Sequence, residues 1–298
     1  MRIISLLPSA TEILFDLGAG DDVVGVTFEC DYPAQARERT IVSFSAMPEG
    51  LTPRQIDDFV TAAMARGDEL YRLDADALRG LDADLVITQD LCAVCAVDVS
   101  TVDDALTYLG CRAEVVTLDP HTLDEVLTSI GTVGRLTGRS AQADRNVSAL
   151  RTRLADVASA VAGRPRPRVM LLEWTEPPFA PGHWIPEMVT AAGGECVLGS
   201  AGQKSVRTTW EAIRAASPDV IVSAPCGFHA EAAADLTREL LPLDVLPDGV
   251  PVWAVDANSS FARPAARLVD GVEALAAILH PDVAPTADAT GSTTIRIR

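Results

Sequence analysis

The chain has 298 residues, of which 48% are hydrophobic and 5% aromatic, and a formal net charge of −18. This length accommodates one large domain or two lobes that each bury a core. The acidic balance argues against nucleic acid or an anionic membrane as partner, and no apolar run reaches the ~20 residues that a membrane span requires. The N-terminus carries a single Arg and then strand-like sequence instead of a signal peptide, so a cytoplasmic location is expected for the sequence as written.

The N-terminal region predicts a strand, a helix and a second strand. Arg2–Leu7 is a short apolar run rich in β-branched residues, which is typical of a buried strand. Pro8–Thr11 predicts a loop whose threonine caps a short helix, and Val23–Thr27 predicts the second strand. This order forms a right-handed crossover in a parallel sheet, and ligands bind beyond the carboxyl ends of such strands. The loops Pro8–Thr11 and Phe28–Tyr32 are therefore predicted to face a ligand.

Two segments far apart in the chain follow the same pattern. Residues 78–88 (LRGLDADLVIT) align without a gap on 213–223 (IRAASPDVIVS), and each predicts a helix end, a tight turn and a buried strand. A second pair, 113–119 and 251–256, predicts one further strand at a similar offset in each half. Parallel α/β sheets often reuse such patterns, but two matches in register favour a duplicated architecture of two lobes.

Helical sequence connects the two halves. Residues 122–136 and 140–162 predict two helices, and the second would be roughly 35 Å long at about 1.5 Å of rise per residue, enough to bridge two lobes. The tail, 281–298, has little apolar content and is expected to be disordered. The remaining chain divides into an N-terminal α/β lobe at 1–121 with a helical insertion at 47–73, a helical tract at 122–163 with its interlobe helix at 140–162, and a C-terminal α/β lobe at 164–280.

Six cysteines indicate a second kind of site. In a reducing compartment, the CxxC pair Cys92 and Cys95 indicates metal or redox chemistry before a structural disulfide. Cysteines follow several predicted strand ends, and His183 and His229 lie on loops of the second half. Thiolate and imidazole bind zinc and similar metals, so the candidate metal ligands are Cys30, Cys92, Cys95, Cys226 and His183. The alternative is that these thiols are small apolar side chains that line a pocket.

Several segments resemble one known family. PSATEILFDLGAGDDVVGV, DYP, DADLVI, PPF, SPDVIV and SFARPAARLVDG are similar, in the same order over residues 2–280, to the vitamin B12-binding proteins of bacterial ABC importers. The resemblance implies an α/β fold of the helical-backbone (class III) type, in which two Rossmann-like lobes of parallel sheet flanked by helices are joined by one long backbone helix. It also implies a non-catalytic monomer that captures cobalamin or a related corrinoid in the cleft between the lobes, and an ABC permease as partner.

The resemblance and the loop positions together supply the candidate ligand-binding residues. In the first lobe they are Ser9, Phe28, Glu29, Cys30, Tyr32, Phe44, Gln89, Asp90 and Cys92. In the second lobe they are Phe179, Trp184, Cys226, Phe228, Asn258, Phe261 and Arg263. Aromatic side chains suit a flat apolar ligand edge, and amides suit the periphery of a corrinoid. By position, Asp76 and Glu211 resemble the family's surface carboxylates that dock on permease arginines, although each could be a solvated charge at a helix end.

Two alternatives stay open. The cysteines depart from the family pattern, so the cleft could instead serve a Cys/His metal-binding or redox protein that holds zinc or iron. Related proteins bind iron–siderophores or haem in the same cleft. No GxSxG, P-loop, GxGxxG or HExxH motif supports hydrolysis, phosphoryl transfer or dinucleotide chemistry, so an enzyme is not expected. Importer proteins carry a secretion signal, so the expected location becomes extracytoplasmic if the start of the sequence is misassigned.

Overall fold

The computed structural model describes residues 1–89, 113–282 and 293–298. The chain divides into two units, each with its own core. Unit 1 comprises Met1–Pro120 and Leu127–Val147, and unit 2 comprises His121–Val126 and Ser148–Arg298. Two of the three divisions, after Val126 and after Val147, fall inside the helical tract that the sequence places at 122–163.

Unit 1 is built on a parallel sheet. Its strands are β1 Ile3–Ser5, β2 Val23–Val26, β3 Thr40–Ile41, β4 Ser43–Ser45, β5 Tyr71–Leu73, β6 Leu85–Thr88 and β7 Glu114–Thr117. Its helices are α1 Pro8–Asp16, α2 Pro53–Arg66 and α3 Ala75–Leu78, with 3-10 helices at Gly20–Asp22 and Ala34–Glu38. The sheet order is β3-β2-β1-β6-β7, and β4 pairs with β5 as a separate antiparallel ribbon. The strands are short and mostly buried, which explains their continuous apolar sequence.

Two helices, α4 Leu123–Leu136 and α5 Ser140–Ala160, form the predicted helical tract. The last turns of α5 are anchored within unit 2 by Arg153, which forms ion pairs with Asp270 at 2.6 Å and Glu273 at 2.7 Å. The hydrogen bonds to Glu273 and Asp270 raise the pKa of the Arg153 guanidinium, and burial raises the pKa of the Asp270 carboxyl. Among the helices that the structure describes, none combines the length and apolar character that a membrane crossing requires.

Unit 2 carries a second sheet of five strands. The strands of unit 2, which form this sheet and a smaller one, are β8 Arg168–Leu172, β9 Trp174–Thr175, β10 Pro178–Ala180, β11 Glu195–Cys196, β12 Val206–Arg207, β13 Val220–Ser223, β14 Val252–Val255 and β15 Thr294–Arg296. Its helices are α6 Ile185–Ala191, α7 Trp210–Ala215, α8 Ala230–Glu239, α9 Ala257–Ser260 and α10 Leu268–Leu279, with a 3-10 helix at Leu241–Leu243. The main sheet has the order β11-β8-β13-β14-β15, and β12-β10-β9 form a small antiparallel sheet.

The strand orders of the two units correspond. In unit 1, β1 lies between β2 and β6, with β7 next; in unit 2, β8 lies between β11 and β13, with β14 next. The segments that the sequence aligns, 78–88 and 213–223, supply the equivalent strands β6 and β13. The predicted α/β class with parallel sheets flanked by helices is confirmed.

The first helix begins earlier than predicted. Leu7 precedes it in extended conformation, and Pro8 lies in its first turn, so Pro8–Thr11 is helical and not a loop. Proline is favourable there because the N–H that it lacks would have no partner inside the helix. Thr11 is therefore inside the helix, and its Oγ1 lies 2.8 Å from the Ser5 Oγ, to which it donates. The predicted capping role of Thr11 was wrong.

The expected disorder of the tail was wrong for its last residues. β15 pairs antiparallel with β14, so Thr294–Arg296 extends the main sheet of unit 2. Ile295 and Ile297 pack against apolar residues of that unit. The edge of β14 supplies unpaired backbone groups, and the tail satisfies them without needing a long apolar run. Residues 283–292 lie outside the described residues.

Candidate functional site

Three aromatic side chains in unit 1 are exposed. Phe28 is 38%, Tyr32 43% and Phe44 48% exposed, and these are the exposed Phe, Tyr and Trp residues in the described part of the chain. Phe28 and Tyr32 follow the carboxyl end of β2, and Phe44 lies on β4. A contact of 2.6 Å between the Oγ1 of Thr27 and the Oγ of Ser43 joins the segments that carry Phe28 and Phe44. We call Phe28, Tyr32 and Phe44 the aromatic face.

Tyr71 and Glu29 hold the position of Phe28 in the aromatic face. The Phe28 ring centroid lies 5.8 Å from that of Tyr71, a buried residue on β5. The Tyr71 hydroxyl donates to the Glu29 Oε1 at 3.1 Å, which fixes the loop beside Phe28. Tyr71 was not among the predicted site residues, because it lies opposite Ser45 in a strand pair that is distant in sequence and has no local signal.

Other predicted contacts of unit 1 are buried. Ser9 and Cys30 are each 2% exposed and Gln89 is 6% exposed. The Cys30 Sγ lies 3.0 Å from the Thr11 Oγ1, so the thiol belongs to the interior beside α1. These side chains expose little surface, and their contact with a ligand stays a prediction. Asp90 and Cys92 lie outside the described residues.

Unit 2 contains a pair of aromatic side chains and a third aromatic ring with an arginine over it. The centroids of Trp174 and Phe228 lie 5.8 Å apart with the rings inclined at 53°. The Arg207 guanidinium lies 5.8 Å from the centroid of the Phe179 ring, across the strand pair β10–β12. All three aromatic residues are half-buried, so each keeps part of its surface available. Phe179 and Phe228 were predicted site residues, and Trp174 was not.

A polar cluster follows the ends of β13 and β14. The His229 Nδ1 lies 3.2 and 3.1 Å from the two carboxylate oxygens of Asp256. The Asn258 amide nitrogen lies 3.1 Å from the His229 Nε2. The backbone N–H of Asn258 donates to the Phe228 carbonyl at 3.0 Å, which joins this cluster to the aromatic pair. Asn258 was a predicted site residue and Asp256 was not, although an Asp directly after a strand and before a short helix is a visible capping signal.

Three predicted contacts of unit 2 belong to its core. Trp184 is 5% exposed, and its Nε1 donates to the Phe261 carbonyl at 2.8 Å. Phe261 is 2% and Arg263 7% exposed. A buried indole with a satisfied N–H stabilises the unit. The ligand contacts expected of Trp184 and Phe261 stay predictions.

The predicted metal ligands do not assemble in the described ranges. Within 1–89, 113–282 and 293–298, no three or more His, Cys, Asp or Glu side chains cluster to hold a metal ion. Cys30 is buried in unit 1, whereas Cys226 is exposed in unit 2. Burial, with the nearby His121 and Lys204, lowers the pKa of the half-buried His183 and disfavours its charged form. Cys95, like Cys92, lies outside the described residues.

The surroundings of the cysteines predict their reactivity. Burial raises the pKa of Cys196 to about 12, and Cys30 is 2% exposed. At about pH 8, iodoacetamide should therefore modify the exposed Cys226 at least ~10-fold faster than Cys30 or Cys196, because the thiolate is the reactive form. Peptide mass spectrometry measures this directly. Equal labelling of Cys30 and Cys226 in the folded protein would contradict the burial described here.

The two candidate docking carboxylates are exposed at short helices. The side chain of Asp76 is 85% exposed and lies 2.9 Å from Arg79, and that of Glu211 is 79% exposed and lies 3.5 Å from Arg214. The Glu211 backbone N–H and the Thr209 hydroxyl lower the pKa of the Glu211 carboxyl, so it is ionised at neutral pH. Surface ion pairs of this kind add little stability, so a partner can replace either arginine at little cost in free energy.

Comparison with known proteins identifies the family. The family described as periplasmic binding protein matches residues 3–239. A cobalamin-binding protein of Halobacterium salinarum is 27% identical over 289 residues, which cover 94% of this chain and 69% of the relative. A periplasmic vitamin B12-binding protein of Vibrio cholerae has a TM-score of 0.65 at 24% identity, with 93% of this chain and 96% of that chain covered.

A haem-binding protein shares the fold as well. The periplasmic haem-binding protein of Pseudomonas aeruginosa has a TM-score of 0.67 at 20% identity, with 95% of this chain and 94% of that chain covered. At these identities the solved structures establish the fold, the helical-backbone type of binding protein, and not the ligand. The family match covers most of the chain, and the protein therefore belongs to the periplasmic binding protein family, the non-catalytic solute-binding proteins of ABC transporters.

Proposed function

We propose that this protein binds cobalamin or a related corrinoid for uptake through an ABC permease. The observation that carries the proposal is the aromatic face, Phe28, Tyr32 and Phe44, which is exposed in a protein whose other described Phe, Tyr and Trp side chains are buried or half-buried. Exposed aromatic side chains on segments joined by the Thr27–Ser43 contact offer a surface that a ligand can cover. A flat macrocycle with an apolar edge suits such a surface.

The charge of the chain favours a corrinoid over haem. Haem carries two carboxylates, whereas the periphery of a corrinoid consists largely of uncharged amides. The formal net charge of −18 disfavours an anionic ligand. The side-chain amide of Asn258 supplies a group that can donate to and accept from amides. The exposed carboxylates Asp76 and Glu211, one in each unit, are the proposed contacts to permease arginines.

Titration with both ligands tests the proposal. Cyanocobalamin should bind the purified protein with submicromolar affinity, and haem should bind at least ~100-fold more weakly, a difference of about 2.7 kcal/mol. Isothermal titration calorimetry supplies the affinities, and equilibrium dialysis followed by absorbance supplies an independent stoichiometry. An absence of heat and of retained corrinoid would overturn the proposal, and tighter binding of haem would assign the site to haem instead.

A further inference from the structure

His229 is the exposed imidazole of this protein. The chain has four histidines, and the structure describes all of them. His280 is 5% exposed, His121 and His183 are partly buried, and the side chain of His229 is 58% exposed. A group in solution that requires an imidazole can therefore reach His229 most readily.

A carboxylate orients the His229 ring. Both oxygens of Asp256 lie within 3.2 Å of Nδ1. Asp256 itself is held, since its Oδ1 accepts the Ser259 N–H at 2.8 Å and its side chain is only 16% exposed. The carboxylate therefore has a defined position before any ligand arrives, and the ring cannot rotate freely.

This pairing determines which ring nitrogen carries the lone pair. With the Nδ1 proton donated to Asp256, the Nε2 is an acceptor, and the Asn258 amide nitrogen donates to it at 3.1 Å. An imidazole that donates one N–H to a carboxylate and presents its other nitrogen is the arrangement that metal-ligating histidines adopt, because the carboxylate fixes the tautomer and raises the basicity of the ligand.

An aromatic pair adjoins His229 in the chain. Phe228 precedes His229 directly, and its ring lies 5.8 Å from that of Trp174. The Asn258 N–H donates to the Phe228 carbonyl, so the polar cluster and the aromatic pair are held as one arrangement. A macrocycle that packs on the rings would bring its central metal towards an imidazole in the same part of unit 2.

We propose that the His229 Nε2 coordinates the cobalt of a bound corrinoid by replacing an axial water. The inference rests on the proposed function, since it requires that a corrinoid binds. The bond between cobalt(III) and water breaks, the water leaves with its electron pair, and the Nε2 lone pair forms the new bond. No electron is transferred to or from cobalt, the Nδ1 proton stays with His229 and Asp256, and the Asn258 amide moves off Nε2.

Aquacobalamin tests this step because its axial water is exchangeable. Protein without a histidine tag should change the absorbance of aquacobalamin as free imidazole does. His229→Gln should bind without this change and with ~10–100-fold lower affinity for aquacobalamin. Its affinity for cyanocobalamin should stay within a few-fold, because cyanide is not displaced. His121→Gln is the matched control and should behave as the unmodified protein.

Two further variants sharpen the assignment. Asp256→Asn can still cap α9 but removes the negative charge, so it should weaken the coordination while cyanocobalamin still binds. Cys226→Ser tests the neighbouring exposed thiol. The inference is overturned if His229→Gln keeps the spectral change, if Cys226→Ser alone loses it, or if the unmodified protein binds aquacobalamin without it. Failure to bind either cobalamin would instead overturn the proposed function.

Discussion

Replacing the aromatic face by alanine at all three positions is expected to weaken cobalamin binding by at least ~100-fold, a loss of about 2.7 kcal/mol. Aromatic residues supply large contact areas at a low cost in side-chain entropy and commonly dominate the binding energy. Phe28, Tyr32 and Phe44 are between 38% and 48% exposed, so their truncation opens no enclosed cavity in the core. The free energy of unfolding should therefore change by less than ~2 kcal/mol.

Calorimetric titration of the triple variant measures the loss of affinity, and urea denaturation measures the stability. Met64→Ala and Leu243→Ala are matched controls, because both side chains are 60% exposed and lie away from the aromatic face in sequence. Each should bind cobalamin as the unmodified protein does. An unchanged affinity of the triple variant would show that the ligand is held elsewhere and would remove the main support for a corrinoid at this surface.

Trp184→Ala is expected to lower the free energy of unfolding by ~3–5 kcal/mol. The Trp184 side chain is 5% exposed, so its removal leaves a cavity in unit 2. The variant also deprives the Phe261 carbonyl of the N–H that donates to it at 2.8 Å. Trp184→Phe should recover part of the loss, because it fills most of the cavity but lacks the donor.

Trp174→Ala is the matched comparison for this prediction. Trp174 is half-buried, and its Nε1 donates to the Glu176 carbonyl at 3.2 Å, nearby in sequence. We expect Trp174→Ala to lower the free energy of unfolding by ~1–2 kcal/mol, less than Trp184→Ala does, and to lower the free energy of ligand binding by a larger amount. Urea denaturation followed by circular dichroism compares the two variants. Equal destabilisation by the two alanine substitutions would contradict a core role that is particular to Trp184.

Local sequence patterns predicted most elements of the fold. The helix from Pro53 is one example: Thr52 and Gln55 form a capping box, with Gln55 N–H donating to the Thr52 Oγ1 and Thr52 N–H donating to the Gln55 Oε1. Such signals act over a few residues, so they can be identified without tertiary structure. The tail was mispredicted because β15 depends on the open edge of β14, a partner about forty residues away in the chain.

The sequence by itself determined the α/β class, the duplicated strand pattern and the loops that follow β2, β13 and β14. Apolar runs, capping residues and repeated segments specify these features locally. Only the tertiary structure decided which loop side chains are accessible. Phe28 and Trp184 look equally suited to a ligand in sequence, yet one is exposed and the other packs in the core. The pairing of His229 with Asp256 likewise required two strand ends to meet, because burial and hydrogen-bond partners depend on contacts between residues far apart in the chain.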